Sequence, residues 1–461
     1  MPTEGRCGVR QVRARALSAL AVLNIFVLVA GVVAIDIIDS RPPAAMPYPV
    51  AFAEDAPDTA QQDAAQVDPE RLRDKLDDPT AGSGVADGLY AYVADARTGE
   101  RLYGRDAGHG AVPASTTKIV TGAAVLHAAG PDARLTTEVV RDGDGGIVLV
   151  GGGDPTLTVT RDQDRYPRPA TLEQLAADTA AALEESGAGS VELSYDDSLY
   201  SGSDTGPGWK PGYVDGGNVA TVHALMLDGG RLDPSDHYSD RVADPPGAAA
   251  EAFAERLEAA GVEVDGGPSP AEAPEDADAV AAVQSPPMSS LVEWMLLESA
   301  NNIAEALFRQ VGLAQGYDAS FAGASEGVAD VLDELGVEGV HVEDGSGLSV
   351  DNRIAPEALV ALLRMSADAQ RPDLYSLVAG LPTAHFTGTL DDRYSEAGGS
   401  RAGAGRVRAK TGTLNGVSAL AGTVYDADGR LLVFAFIANH PAALGSDLDA
   451  FAAALAECGC R

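Results

Sequence analysis

Pro113-Ala114-Ser115-Thr116-Thr117-Lys118 opens a run to about residue 129 whose small and apolar side chains suit a buried helix. On a helix, three-residue spacing puts Ser115 and Lys118 on one face, within reach of each other. At a first turn the positive end of the helix dipole disfavours a nearby cation and favours a developing oxyanion. Such a lysine can lose its proton and serve as base for the serine. Ser-x-x-Lys occurs once in the chain. Taken alone, the stretch reads better as a capped helix followed by a surface lysine.

Working outward, residues 89–103 read as strand, Asp95-Ala96-Arg97-Thr98-Gly99 turn, and strand, a hairpin pattern. Between about 135 and 283 the texture changes. Short strands near 147–150 and 191–194 alternate with Gly/Asp/Pro loops and two Ala/Glu-rich helices. After Pro286-Pro287 the helical period returns in Leu291, Val292, Met295 and Leu296, with Ser289 or Ser290 as N-cap. The chain closes with strands around 407–414, 420–425 and 431–437 and a small Ala-rich helix. The fold class expected is therefore α/β: an antiparallel sheet flanked by helices, beside a helical lobe, with a large inserted domain. The partition is 1–39 tail and anchor, 40–82 flexible acidic, Pro- and Ala-rich linker, 83–134 first catalytic part, 135–283 insert, and 284–461 second catalytic part. The insert carries none of the motifs below, so its expected role is to govern access of large substrates rather than chemistry.

A length of 461 residues suggests two or three domains, and an apolar fraction of 45% is enough to bury sizeable cores. The formal net charge of −37 repels phosphates and argues against nucleic-acid binding. Of 32 basic residues only Lys75, Lys118, Lys210 and Lys410 are lysines. Where lysine persists among arginines, an ammonium able to deprotonate is one reason, because arginine cannot. Cys458-Gly459-Cys460 admits a strained bridge, and the scattered histidines form no zinc pattern, so no metal or other cofactor is expected. Residues 16–35 form a low-polarity run of bilayer length, preceded by Arg6, Arg10, Arg13 and Arg15 and followed by Asp36 and Asp39. The charge asymmetry predicts a single-pass anchor in the cell membrane with the remainder extracytoplasmic. A cleaved signal peptide is the alternative, for which the apolar run is long.

Two further stretches carry chemistry. Ser299-Ala300-Asn301 falls between two apolar helices, where a short loop holds polar side chains rigidly; capping of the second helix explains it equally simply. Lys410-Thr411-Gly412-Thr413 lies on a strand, with Lys410 and Gly412 on one face. Glycine there admits a peptide backbone alongside, and lysine with threonine can grip a carboxylate. An exposed edge strand with a protective lysine is the plain alternative.

Together, Ser-x-x-Lys, Ser-x-Asn and Lys-Thr-Gly, in that order on helix start, helix–helix loop and strand, form the signature of serine β-lactamases and penicillin-binding proteins. The 184 residues from Ser115 to Ser299 exceed the gap in simple β-lactamases. The chain resembles the low-molecular-mass class C penicillin-binding proteins, the D-alanyl-D-alanine carboxypeptidase/endopeptidase family, over about residues 85–440. Gly153-Asp154-Pro155-Thr156-Leu157, Asp344-Gly345-Ser346-Gly347-Leu348-Ser349 and Gly388-Thr389-Leu390 are similar to that family's habits. Ala300 departs from the frequent Ser-Asp-Asn at its tolerant middle position.

The resemblance implies a serine hydrolase that trims peptidoglycan peptides ending in D-Ala-D-Ala through an acyl-enzyme and is inhibited by β-lactams. It implies Ser115 as nucleophile, Lys118 as base, Ser299 as proton relay to the leaving amine, and Asn301 as orienting group. Lys410, Thr411 and Thr413 would hold the carboxylate beside Gly412, and the Ser115 and Thr413 N–H groups would form the oxyanion hole. A serine β-lactamase and a non-catalytic envelope scaffold are the rival readings. No tyrosine precedes an asparagine by two positions, so the Tyr-x-Asn of class C β-lactamases is missing from the sequence. Two decoys fail: Gly323-Ala324-Ser325-Glu326-Gly327 lacks the buried strand that a nucleophile elbow needs, and Thr156 replaces the last glycine of a dinucleotide fingerprint begun at Gly151.

Overall fold

The computed structural model describes residues 66–460 apart from 83–84, 86–87, 144, 161–165, 237–238 and 396–399. The expected anchor and the linker up to residue 65 lie outside the described residues. Among the described residues no helix is long and apolar enough to cross a membrane.

In chain order the elements are α1 (Pro69–Gly82), β1 (Leu89–Asp95), β2 (Arg101–Arg105), α2 (Thr117–Ala128), β3 (Thr136–Arg141), β4 (Ile147–Val150) and α3 (Leu172–Ser186). There follow β5 (Ser190–Val191), β6 (Leu193–Asp196), α4 (Pro245–Ala259), β7 (Glu263–Val264), β8 (Ser269–Pro270) and β9 (Ala279–Gln284). Then come α5 (Met288–Leu297), α6 (Asn301–Ala314), α7 (Phe321–Leu335), β10 (Val340–His341), β11 (Arg353–Ile354), α8 (Pro356–Ser366) and α9 (Ser376–Ala379). The chain closes with β12 (Val407–Leu414), β13 (Val417–Tyr425), β14 (Leu431–Asn439) and α10 (Gly445–Ala456).

The main sheet is antiparallel in the order β12-β13-β14-β1-β2. Its central strands are buried on both faces, and alternation divides their side chains between two cores. Ala419, Ala421, Val433, Ala435 and Ile437 face α2, α5, α6, α7 and α8. Leu420, Val424, Leu432, Phe434 and Phe436 face Leu448, Phe451 and Leu455 of α10. The α/β fold with an antiparallel sheet, flanking helices and a helical lobe is as expected.

The linker reading is corrected at its C-terminal end. Pro69–Gly82 is helical, and Leu72 and Leu76, four residues apart on one face, are fully buried in the α10 core. The many acids nearby masked this short apolar stripe. The N-cap of α5 is corrected too: the helix begins at Met288 after Pro287, so Ser289 and Ser290 lie in its first turn. Its early N–H groups need no side-chain cap, because Met288 and Ser289 donate to the Ala133 and Pro131 carbonyls. Cys458 and Cys460 are bridged and buried.

A second five-stranded sheet, order β8-β6-β4-β3-β9, spans residues 136–284. Its core joins Val139, Ile147 and Leu149 to Leu175 of α3 and Phe253 and Leu257 of α4. The Thr171 hydroxyl caps α3 by accepting from the Gln174 N–H, and Gly187 ends it at φ 77°.

Candidate active site

The turn Ala114–Thr116 leads directly into α2, so Ser115 sits one turn before the helix and Lys118 in its first turn. Ala114 adopts φ 48°, unusual for a residue with a side chain. Such backbone strain is typical of functional sites. Lys118 is fully buried. Its Nζ lies 3.2 Å from Ser115 Oγ, 2.7 Å from Asn301 Oδ1 and 2.7 Å from the Ser346 carbonyl oxygen. Burial lowers its pKa to about 7, against the opposing pull of Glu305 and Asp344.

Ser299 closes α5 at φ 57°, a second left-handed non-glycine residue. Lys410 Nζ donates to Ser299 Oγ at 2.9 Å and to the Thr411 carbonyl at 2.9 Å. Asn301 opens α6 and divides its amide: Oδ1 accepts from Lys118, and Nδ2 donates to the Asn218 carbonyl at 2.8 Å. Burial, then the neighbouring Lys118 charge, hold Lys410 well below the ordinary lysine value.

The strand bearing Lys410 lies at the end of the sheet order. A Cβ on Gly412 would stand 2.8 Å from the Pro113 carbonyl oxygen and 3.1 Å from the Ser115 nitrogen. Glycine is required there because β12 presses on the turn that carries the serine. Thr411 Oγ1 meets Thr389 Oγ1 at 2.9 Å, and Thr413 is exposed. The three motifs, separated by up to 295 positions between Ser115 and Lys410, thus form one cluster.

The family model for D-Ala-D-Ala carboxypeptidase 3 (S13) matches residues 70–237 and 233–457. The chain belongs to that family. As an S13 member it is a serine-type D-Ala-D-Ala carboxypeptidase and a low-molecular-mass class C penicillin-binding protein. It is 38% identical over 374 residues to carboxypeptidase DacB of Mycolicibacterium smegmatis, covering 80% of each chain. It is 32% identical to a D-alanyl-D-alanine carboxypeptidase of an Actinomadura species, covering 83% of each. The fold is similar to that of penicillin binding protein 4 (dacB) from Haemophilus influenzae, with a TM-score of 0.67 at 22% identity over 82% of this chain and 97% of that one.

In this S13 enzyme all eight residues singled out from sequence lie in or beside the cluster. Sequence reasoning missed several of their supports. The family-like stretch Asp344–Ser349 gives no sign in sequence that the Ser346 carbonyl accepts from Lys118. Glu305, one turn beyond Asn301, gave no motif signal. The insert also proves closer to the chemistry than expected: Asn218 holds Asn301, Ala220 exchanges two hydrogen bonds with the Asn302 side chain, and Trp209 Nε1 donates to Asp344 at 2.7 Å. Chain order hides such contacts. Ser325 of the elbow decoy lies inside α7, its hydroxyl donated to the Val342 carbonyl, and cannot act as a nucleophile there.

Proposed function

We propose that Ser115 and Lys118 carry out the carboxypeptidase reaction of this S13 enzyme on peptidoglycan stem peptides. The observation that supports this most is the fully buried Lys118 amine, in contact with Ser115 Oγ and fixed from two other sides. Neutral Lys118 takes the Ser115 proton as Oγ bonds to the penultimate D-alanine carbonyl carbon. The terminal carboxylate rests against Lys410, Thr411 and Thr413, while the Ser115 and Thr413 N–H groups face the developing oxyanion. On collapse the C–N bond breaks, the proton held by Lys118 is relayed through Ser299 to the leaving amine, and D-alanine departs with Lys118 neutral again. Water then attacks the acyl-serine, giving up a proton to neutral Lys118, which returns it to Ser115 Oγ as the ester bond breaks and the shortened peptide leaves.

A β-lactam offers a similar carbonyl beside a carboxylate, but its ring fragment stays tethered and hinders water. Ser115→Ala should abolish both penicillin labelling and D-alanine release in one preparation. Rapid penicillin turnover without D-alanine release would point to a β-lactamase. No reaction with either would leave the scaffold. Cross-linked peptides, whose leaving amine belongs to a second stem, fit the same acyl-enzyme, so endopeptidase activity is part of the proposal.

The arginine-flanked apolar run at residues 16–35 supports a membrane-anchored protein with its catalytic part outside the cytoplasmic membrane. Impermeant labelling of intact cells and sequencing of the mature N-terminus test it. A mature chain beginning near Glu54 would sink the anchor.

A further inference from the structure

Glu305 stands at the end of the first turn of α6, four residues after Asn301 on the same helix face, and has no solvent exposure. Its two carboxyl oxygens accept the N–H groups of Gly345 at 3.0 Å and Ser346 at 2.9 Å. The Ser346 carbonyl accepts from Lys118 Nζ at 2.7 Å, and Thr121 of α2 donates to the Gly345 carbonyl at 2.7 Å. The adjoining Asp344 is also fully buried and accepts from Gly347, Ser349, Asn352 and Trp209. The loop therefore cannot drift: a Cβ on Gly347, at φ 83°, would strike the Ala114 carbonyl beside the nucleophile.

A neutral amide has a single acceptor oxygen and could not meet these two backbone donors on separate atoms. A buried carboxyl beside a second buried carboxyl is costly, and such an arrangement is a mark of functional sites. We propose that Glu305 is a positioning residue for the serine–lysine pair, clamping the Gly345–Ser346 peptide so that the Ser346 carbonyl holds Lys118 Nζ against Ser115 Oγ. One face of α6 thus supports the lysine twice, directly through Asn301 and through the backbone by way of Glu305. The proposal rests on the reading of Ser115 and Lys118 as nucleophile and base.

Charge adds little to this clamp. The charges of Glu305 and Asp344 act on Lys118, those of Lys118 and Arg393 on Lys410, that of Glu305 on Arg309, and that of Asp344 on Tyr213. Burial, then Asp344, pushes the Glu305 carboxyl up, while its ionised form favours the Lys118 ammonium. With Glu305 pushed up to about 8, it is already largely protonated where Lys118 titrates near 7, so an amide in its place should leave the acid limb where it is.

The test follows acylation of the full chain by labelled penicillin between pH 5 and 9, with unfolding temperature as a check on the fold. In Glu305→Gln the amide nitrogen replaces one acceptor, so the Gly345–Ser346 peptide should shift. Acylation at the plateau should fall by roughly tenfold or more, since displacements near 1 Å can cost on the order of a hundredfold. Its acid limb should stay in place, because Glu305 is already largely protonated at the pH where Lys118 titrates. Glu305→Asp keeps the carboxyl but shortens the clamp, so it should lower the plateau and leave the limb in place. Folded Glu305→Gln with the wild-type plateau would overturn the proposal. So would Glu305→Asp with the wild-type plateau, which also decides the matter if the glutamine variant does not fold. A wild-type protein that penicillin does not acylate at Ser115 would instead refute the underlying reading.

Discussion

Acylation of Ser115 should depend on pH through Lys118, and the structure gives the scale. An exposed lysine near 10.5 would be neutral in only about one molecule in 3,000 at pH 7. Complete burial brings Lys118 to about 7, so roughly half the molecules then hold a free base. The sign is set by the base's need to be deprotonated: activity is present above the folded pKa and lost below it. From a plateau above pH 8, the second-order acylation rate should fall about tenfold per unit, reaching about a hundredfold loss at pH 5. Lys118→Arg, which cannot deprotonate, should remove the profile along with most of the rate. Stopped-flow or quenched labelling with penicillin across pH 5 to 9 measures this, with circular dichroism confirming the fold at each pH. A flat profile from pH 5 to 8 would refute Lys118 as the titrating base. Substantial acylation by Lys118→Arg with the same acid limb would do so too.

Two other substitutions test the geometry. Gly412→Ala places a methyl group against the Pro113 carbonyl and the Ser115 nitrogen. It should slow acylation roughly tenfold or more with a modest loss of stability, because β12 must back away from the nucleophile; wild-type labelling would show that the close approach is not needed. Leu76→Ala removes a fully buried side chain from the α1–α10 core and should cost about 2–5 kcal/mol in urea unfolding. A cost below about 0.5 kcal/mol, ordinary for a surface site, would return residues 69–82 to the tether.

Much of this protein was legible in its sequence. Helical spacing placed Ser115 beside Lys118, and alternation placed Lys410 and Gly412 on one strand face. The order of the three motifs, with two of four lysines falling on them, singled out the chemistry. These signals are local, because backbone periodicity relates residues only a few positions apart. The acid-rich stretch before residue 83 hid a two-leucine helix face for the same reason: its burial depends on α10, which begins at Gly445, 376 positions after Pro69. Tertiary structure alone decided what surrounds the base. Asn301 arrives from 183 residues away and Ser346 from 228, while Lys410 meets Ser299 across 111. A lysine's proton affinity is set by solvent exclusion and by the charges and dipoles packed around it, so Lys118 becomes a base near neutrality only when those distant segments close over it.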